Sequence, residues 1–100
     1  MVKWSAPAKR DLKQIHDYIA KDSKYYAKKV AQNIVTATEK LNEFPKIGRI
    51  VPEIGDINVR ELFVYSYRLI YEISTDRIEI LAIIHGKRDF FDRLIESSSD

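Results

Sequence analysis

The apolar residues of this chain change their spacing once, and that single change limits what it can fold into. Up to residue 44 they recur every three or four positions. Ala8, Leu12, Ile15 and Ile19 form one series, and Ala27, Val30, Ile34, Ala37, Leu41 and Phe44 form a second. A helix turns once in 3.6 residues, so each series makes one apolar stripe. From residue 57 onward the pattern becomes alternating and rich in β-branched and aromatic side chains, as strands require. Two helices followed by strands predict an α+β domain with the helices segregated to one face of an antiparallel sheet.

Local signals place the boundaries. Residues 2–4 read as a short N-terminal strand. Ser5 offers a hydroxyl to the unpaired N–H groups of a first helix, and Pro7 falls in its first turn, where a missing donor costs nothing. Asp22 and Ser23 break that helix and cap the next. Pro45 ends the second helix at Phe44, because the residue before a proline is pushed out of the α region. Helices joined by so short a turn pack as an antiparallel hairpin. A loop containing Gly48, Pro52 and Gly55 leads into strands over 57–64, 67–73 and 77–84, joined at Tyr65-Ser66 and Ser74-Thr75-Asp76. A short C-terminal helix is expected over 89–96, completing one domain of residues 1–96, with 97–100 as a frayed tail. Tyr67, Leu69, Tyr71 and Ile73 on one strand, and Ile78, Ile80, Ala82 and Ile84 on the next, are expected to face the hairpin. Trp4 is expected in the core, and Tyr25-Tyr26 as packing at the start of the second helix rather than as a base-stacking platform.

Composition narrows the function. There is no cysteine, which rules out disulfides and thiolate metal sites and fits a reducing compartment. Neither a leader pattern nor an apolar run near the roughly 18 residues of a membrane span occurs, so the chain reads as cytoplasmic with no membrane partner. No metal-ligand spacing and no nucleotide-binding loop is present, so no cofactor is expected. The net charge of +2 is small. Its distribution is uneven: residues 1–50 carry 11 Lys/Arg against 5 Asp/Glu, residues 51–100 carry 6 against 10, giving halves of +6 and −4. A basic first half suits phosphate or an acidic partner segment, or is simply a solvated helical surface.

With helices on one side, the other face of the sheet should be open. If Ile73 pairs with Ile78, then Glu72 opposes Glu79, Ile70 opposes Leu81, Arg68 opposes Ile83 and Ser66 opposes His85. Opposed residues share a face. Arg68 and His85 then lie diagonally adjacent on the open side, and Arg88, three residues beyond His85, can curl toward them past Gly86. Guanidinium forks match phosphate oxygens, and an imidazole moves protons near neutral pH. Together they would suit RNA cleavage by its own 2′-hydroxyl. A plainer reading has Arg68 paired with a carboxylate such as Glu61, His85 capping a strand end and Arg88 beside Asp89 or Asp92. Ile70, Leu81 and Ile83 on the same face would instead suit a protein partner. A two-residue turn places Arg60 opposite Tyr71 on the helix side, to be paired at the edge or turned outward by a bulge.

The stretches Val59-Arg60-Glu61-Leu62-Phe63-Val64, Tyr67-Arg68-Leu69-Ile70-Tyr71-Glu72-Ile73 and Ile83-Ile84-His85-Gly86-Lys87-Arg88-Asp89 resemble the RelE/ParE toxin superfamily, as does Gly48-Arg49 followed by Pro52-Glu53. The resemblance implies a growth-inhibiting toxin, neutralised by a cognate antitoxin whose C-terminal segment wraps it. The basic helices lead us to expect an acidic segment. RelE-like members cut mRNA at the ribosome; ParE-like members poison DNA gyrase. Arg68 and Arg88 match arginines that RelE-like nucleases set on phosphate, and His85 is similar to a histidine of YoeB-like relatives. The paired lysines of RelE are replaced by Val59 and Glu61, and its C-terminal tyrosine by Leu94. The long helical hairpin is closer to ParE. The resemblance therefore implies a ParE-like gyrase poison first. An mRNA endoribonuclease using Arg68, His85 and Arg88 comes second, and a non-toxic antitoxin-binding module third.

Overall fold

A computed structural model describes residues 1–86. β1 (Val2–Trp4) leads into α1 (Ala6–Ala20) and α2 (Lys24–Glu39), which a 3-10 turn (Lys40–Asn42) extends. Four strands follow: β2 (Arg49–Ile50), β3 (Val59–Val64), β4 (Tyr67–Ile73) and β5 (Ile78–His85). The expected short helix at 89–96, the tail 97–100 and Arg88 lie outside the described residues.

Both helix starts follow the sequence signals. The Ser5 hydroxyl accepts from the Ala8 N–H at 3.2 Å, and the Ser23 hydroxyl from the Tyr26 N–H at 3.1 Å. The second helix ends earlier than Pro45 alone suggests. Tightening into the 3-10 turn keeps Leu41 fully buried but leaves Phe44 exposed.

The sheet runs β1-β5-β4-β3-β2. β1 pairs with β5 in parallel, and the other pairs are antiparallel. Against one face the hairpin packs a core of Ala8, Val30, Ile34, Leu69, Tyr71 and Ile80, with Trp4, Leu12 and Ile15 partly buried around it. The other face is not open. Val51, Val59, Ile70, Ala82 and Ile84 form a second buried cluster there, and the segment after β2 contributes its fully buried Val51.

A one-residue irregularity in β5 is the main departure from the expected register. Glu72 opposes Glu79 and Tyr71 opposes Ile80, but Ile70 opposes Ala82, leaving Leu81 with no residue opposite it on β4. Because strand side chains alternate, the extra residue turns everything after it to the other face. Ile83 therefore joins the hairpin-side core, while Ala82 and Ile84 join the second cluster. The bulge is held from α1 and its cap. The buried Asp11 carboxylate accepts the Ile83 N–H at 3.0 Å, and the Ser5 hydroxyl donates to the Leu81 carbonyl at 3.2 Å. Asp11→Ala leaves that N–H without this acceptor, so a loss of about 1–3 kcal/mol is expected. An unchanged urea midpoint would refute this role for Asp11.

The loop before β2 is fixed by Tyr71. Its hydroxyl donates to the Pro45 carbonyl at 2.7 Å and accepts the Gly48 N–H at 2.9 Å. Gly48 is required by proximity: a Cβ there would lie 2.6 Å from both the Glu61 carbonyl oxygen and the Tyr71 hydroxyl. Arg60 opposes Tyr71 as expected, and no bulge turns it outward. Its guanidinium reaches the edge and donates to the Ile57 carbonyl at 3.0 Å and the Gly48 carbonyl at 2.9 Å. Burial pushes the Tyr71 phenol above its ordinary pKa, against smaller opposing effects of Gly48 and Arg60. A raised value means that the stability Tyr71 contributes is whole below the unfolded value of about 10 and is lost as pH rises through the folded value. Tyr71→Phe should cost about 1–3 kcal/mol at neutral pH. It should also flatten the alkaline fall in urea-derived stability, and an equally steep fall would contradict the assignment.

Candidate functional site

β4 presents Arg68 to the second face, and β3 and the loop surround it with carboxylates. Arg68 is only 5% exposed. Its Nε donates to Glu61 at 2.7 Å, and its two terminal nitrogens meet both oxygens of Glu53 at 2.8 and 2.9 Å. One terminal nitrogen also contacts Glu61. The second oxygen of the fully buried Glu61 accepts from Arg49. The Arg49 guanidinium, mostly exposed, sits 5.4 Å from the centre of the Phe63 ring. Hydrogen bonding to Glu53 raises the Arg68 pKa; desolvation opposes this and Glu61 reinforces it. The guanidinium is thus a permanent cation.

The network unites two cations, Arg49 and Arg68, with two anions, Glu53 and Glu61, and adds up to no net charge. Loop and sheet are joined through it, since Glu53 lies between β2 and β3. Of the pairings open to the sequence, that of Arg68 with Glu61 is the one observed. A phosphate approaching Arg68 would have to displace two carboxylates from bidentate and buried contacts.

His85 is elsewhere. The bulge pairs it with Tyr67 instead of Ser66 and turns it to the hairpin side. There its ring meets Tyr67 edge-on with centroids 6.2 Å apart. It lines a shallow cleft of about 190 Å³ with Asp11, Gln14, Tyr18 and Tyr67. Arg68 and His85 therefore face opposite sides of the sheet, and the expected cluster on one open face is corrected. Ile70 and Ile83, expected as exposed aliphatics of that face, are buried in different cores.

Other features of the structure leave little trace in the sequence. Tyr25 and Tyr26, expected as packing, are 76% and 58% exposed. Asp11 sits beside Leu12 on the helix and gives no cue, because its partner is a backbone N–H released by a bulge. Glu53 lies in an irregular loop, where no period points it at Arg68. Among the described residues no group of His, Asp and Glu is arranged to hold a metal ion, and no helix is long and apolar enough to cross a membrane.

Arg68→Ala would leave Glu53 and Glu61 without the cation they share. Removing one partner from a buried ion network costs about 3–5 kcal/mol, a large share of the roughly 5–15 kcal/mol that holds a domain folded. The variant should therefore unfold at much lower urea, read by circular dichroism. A wild-type midpoint would show the network to be dispensable.

Residues 2–90 match the family described as ParE toxin of the type II toxin–antitoxin system parDE. The chain is 33% identical over 88 residues to Toxin RelE2 of Caulobacter vibrioides, covering 87% of this chain and 96% of that one. Among solved structures it is similar to a chain of the chromosomal ParDE toxin–antitoxin system from P. aeruginosa. That likeness has a TM-score of 0.72 at 26% identity, over 86% of this chain and 95% of the other. The toxin–antitoxin complex RelBE2 from Mycobacterium tuberculosis shares the fold, with a TM-score of 0.61 at 20% identity over 85% and 95% of the two chains.

Proposed function

The chain belongs to the RelE/ParE superfamily of type II toxin–antitoxin toxins, and from that premise we propose that it is a ParE-like growth inhibitor that binds DNA gyrase and performs no RNA cleavage. One observation carries this reading. Arg68, the side chain that a nuclease would set on phosphate, is buried and held by Glu53 and Glu61. Glu61 stands where the resemblance to RelE would require a lysine, so the local chemistry is reversed: a carboxylate occupies the arginine instead of a second cation adding to it. His85, on the opposite face, shares no reaction centre with Arg68. A general acid or base must lie within hydrogen-bond reach of the atom it serves.

A cognate antitoxin completes the reading, as in the ParDE and RelBE2 systems whose toxin folds this chain shares. The basic first half favours an acidic antitoxin segment, which would also stabilise so small a fold by mass action. The protein acts in the cytoplasm, where gyrase works.

Controlled expression with and without the antitoxin tests this directly. Toxin alone should leave methionine incorporation running while double-strand DNA breaks accumulate. His85→Ala should keep full toxicity. Rapid loss of incorporation with intact DNA, abolished by His85→Ala, would replace this reading with mRNA cleavage.

A further inference from the structure

Tyrosine is distributed unevenly over this molecule. Of six tyrosines, Tyr71 is in the core and the other five gather at one end, where the α1–α2 turn meets the β3–β4 hairpin. Tyr67 is the common wall. On one side it lines a cleft with Tyr18 and His85, and on the other a cleft of about 270 Å³ with Ile19, Tyr26, Val30 and Tyr65. The rings are open to solvent: Tyr18 is 71%, Tyr26 58% and Tyr65 52% exposed. Tyr65 also holds a backbone φ of 56°, a region that L side chains rarely adopt. Asn or Gly would fill such a turn position at less cost. The Asn33 side chain donates to the Tyr65 hydroxyl at 2.6 Å and so fixes the ring over α2.

Lysines surround these rings. Residues 18–29 contain Lys21, Lys24, Lys28 and Lys29 against the single acid Asp22, a balance of +3. All four are exposed, and the Lys21 ammonium lies 5.9 Å from the centre of the Tyr18 ring. The opposite end of the fold has a different chemistry. There Phe44 and Ile47 line a cleft with Pro45 and Lys46, and Ile57 is 57% exposed. Exposed aliphatic groups suit a dry protein contact. Open hydroxylated rings among ammonium groups suit a flat, wet, anionic ligand.

We propose that the tyrosine–lysine end binds single-stranded nucleic acid, with unpaired bases stacked on Tyr18, Tyr25 and Tyr26 and the phosphates met by Lys21, Lys24 and Lys28. Every base has a π-face, so such a platform tolerates any sequence, and a duplex, whose bases are already stacked, cannot use it. An acidic protein segment would also meet the lysines. It would leave the rings unused as platforms, and this makes the rings the deciding residues. The surface adds a nucleic-acid contact to a protein proposed above to act by binding gyrase, and it does not depend on that target.

Fluorescence anisotropy of the full chain with labelled oligo(dT) or oligo(rU) of about 12 nucleotides, a length within reach of such platforms, tests the proposal. A duplex of equal length and polyglutamate serve as competitors. The single strand should bind saturably, outcompete the duplex and weaken with salt. Tyr18→Ala with Tyr26→Ala should weaken binding about tenfold or more, while phenylalanine at both positions should preserve it within about twofold, because stacking needs the ring and not the hydroxyl. Lys21→Ala with Lys24→Ala should lower the salt slope by about 1.4, near 0.7 for each phosphate no longer neutralised. The substituted side chains are exposed, and unchanged circular dichroism confirms the fold. The tighter of the two strands identifies DNA or RNA. Absence of saturable strand binding, equal binding of strand and duplex, indifference to the paired alanines, or displacement of the strand by polyglutamate as readily as by unlabelled strand would overturn the proposal.

Discussion

A strand side chain has two choices of face, and one extra residue exchanges them for every position that follows. Leu81 is that residue. Without it, the pairing of Glu72 with Glu79 would continue unshifted and bring Arg68 and His85 to one side. With it, Ile83 enters the core under the hairpin, Ile84 enters the second cluster, and His85 turns toward Tyr67. A bulge releases a backbone N–H from the ladder. The unmade hydrogen bond would be costly in the interior, and Asp11 accepts it. Helix α1 thus does more than cover the sheet. Through Asp11 and its cap Ser5 it specifies the register of the last described strand, and so determines which side chains share a face.

The second constraint is electrostatic. Burying Arg68 alone would be prohibitive, and burying Glu61 alone equally so. Together with Glu53 and Arg49 they neutralise each other, with Arg49 at the solvent margin. Such networks often contribute little net stability relative to an apolar core, because desolvation offsets most of the attraction. Their effect here is on conformation. Glu53 comes from the segment after β2, so a two-residue strand with few backbone bonds is tied to β4 through a side chain. Gly48 and Tyr71 tie the other end of the same segment. The loop is long, and these two polar clamps fix its course.

Element order, both helix caps, the β3–β4 turn and the register as far as Tyr71 with Ile80 are all legible in the sequence. Each depends on interactions between near neighbours or on a simple period. What is not legible arises from long-range geometry. β2 is too short to leave a periodic trace, and the parallel pairing of β1 with β5 joins residues more than seventy positions apart. The bulge leaves no composition signal, since Leu81, Ala82 and Ile83 are apolar in any register. At the site, an arginine on a central strand stands out in the sequence, and Glu61 two residues into the neighbouring strand is a visible partner for Arg68. Alternation alone, however, puts His85 beside it. Tyr25 and Tyr26 invite a packing role because aromatic residues usually bury, whereas Ala27 and Val30 supply the buried stripe at that end of α2.

These placements bear on how a fold of this size can act. A nuclease needs cations and a proton carrier converging on one phosphate. Among the described residues Arg68 is engaged in holding a loop, and His85 stands across the sheet from it. A binding toxin needs exposed surface instead, and the described residues offer two kinds of it at opposite ends, aliphatic near Ile47 and Ile57 and aromatic near Tyr18 and Tyr26. Their exposed side chains, Tyr18, Tyr25, Tyr26, Ile47 and Ile57, lie outside both cores, so these positions can diverge without unfolding the protein. Arg68 is under the opposite constraint. With Glu61 on its guanidinium, bringing a phosphate to Arg68 would require displacing that acid, releasing Glu53 and exposing a buried cation, changes that each destabilise the loop on which the second cluster depends.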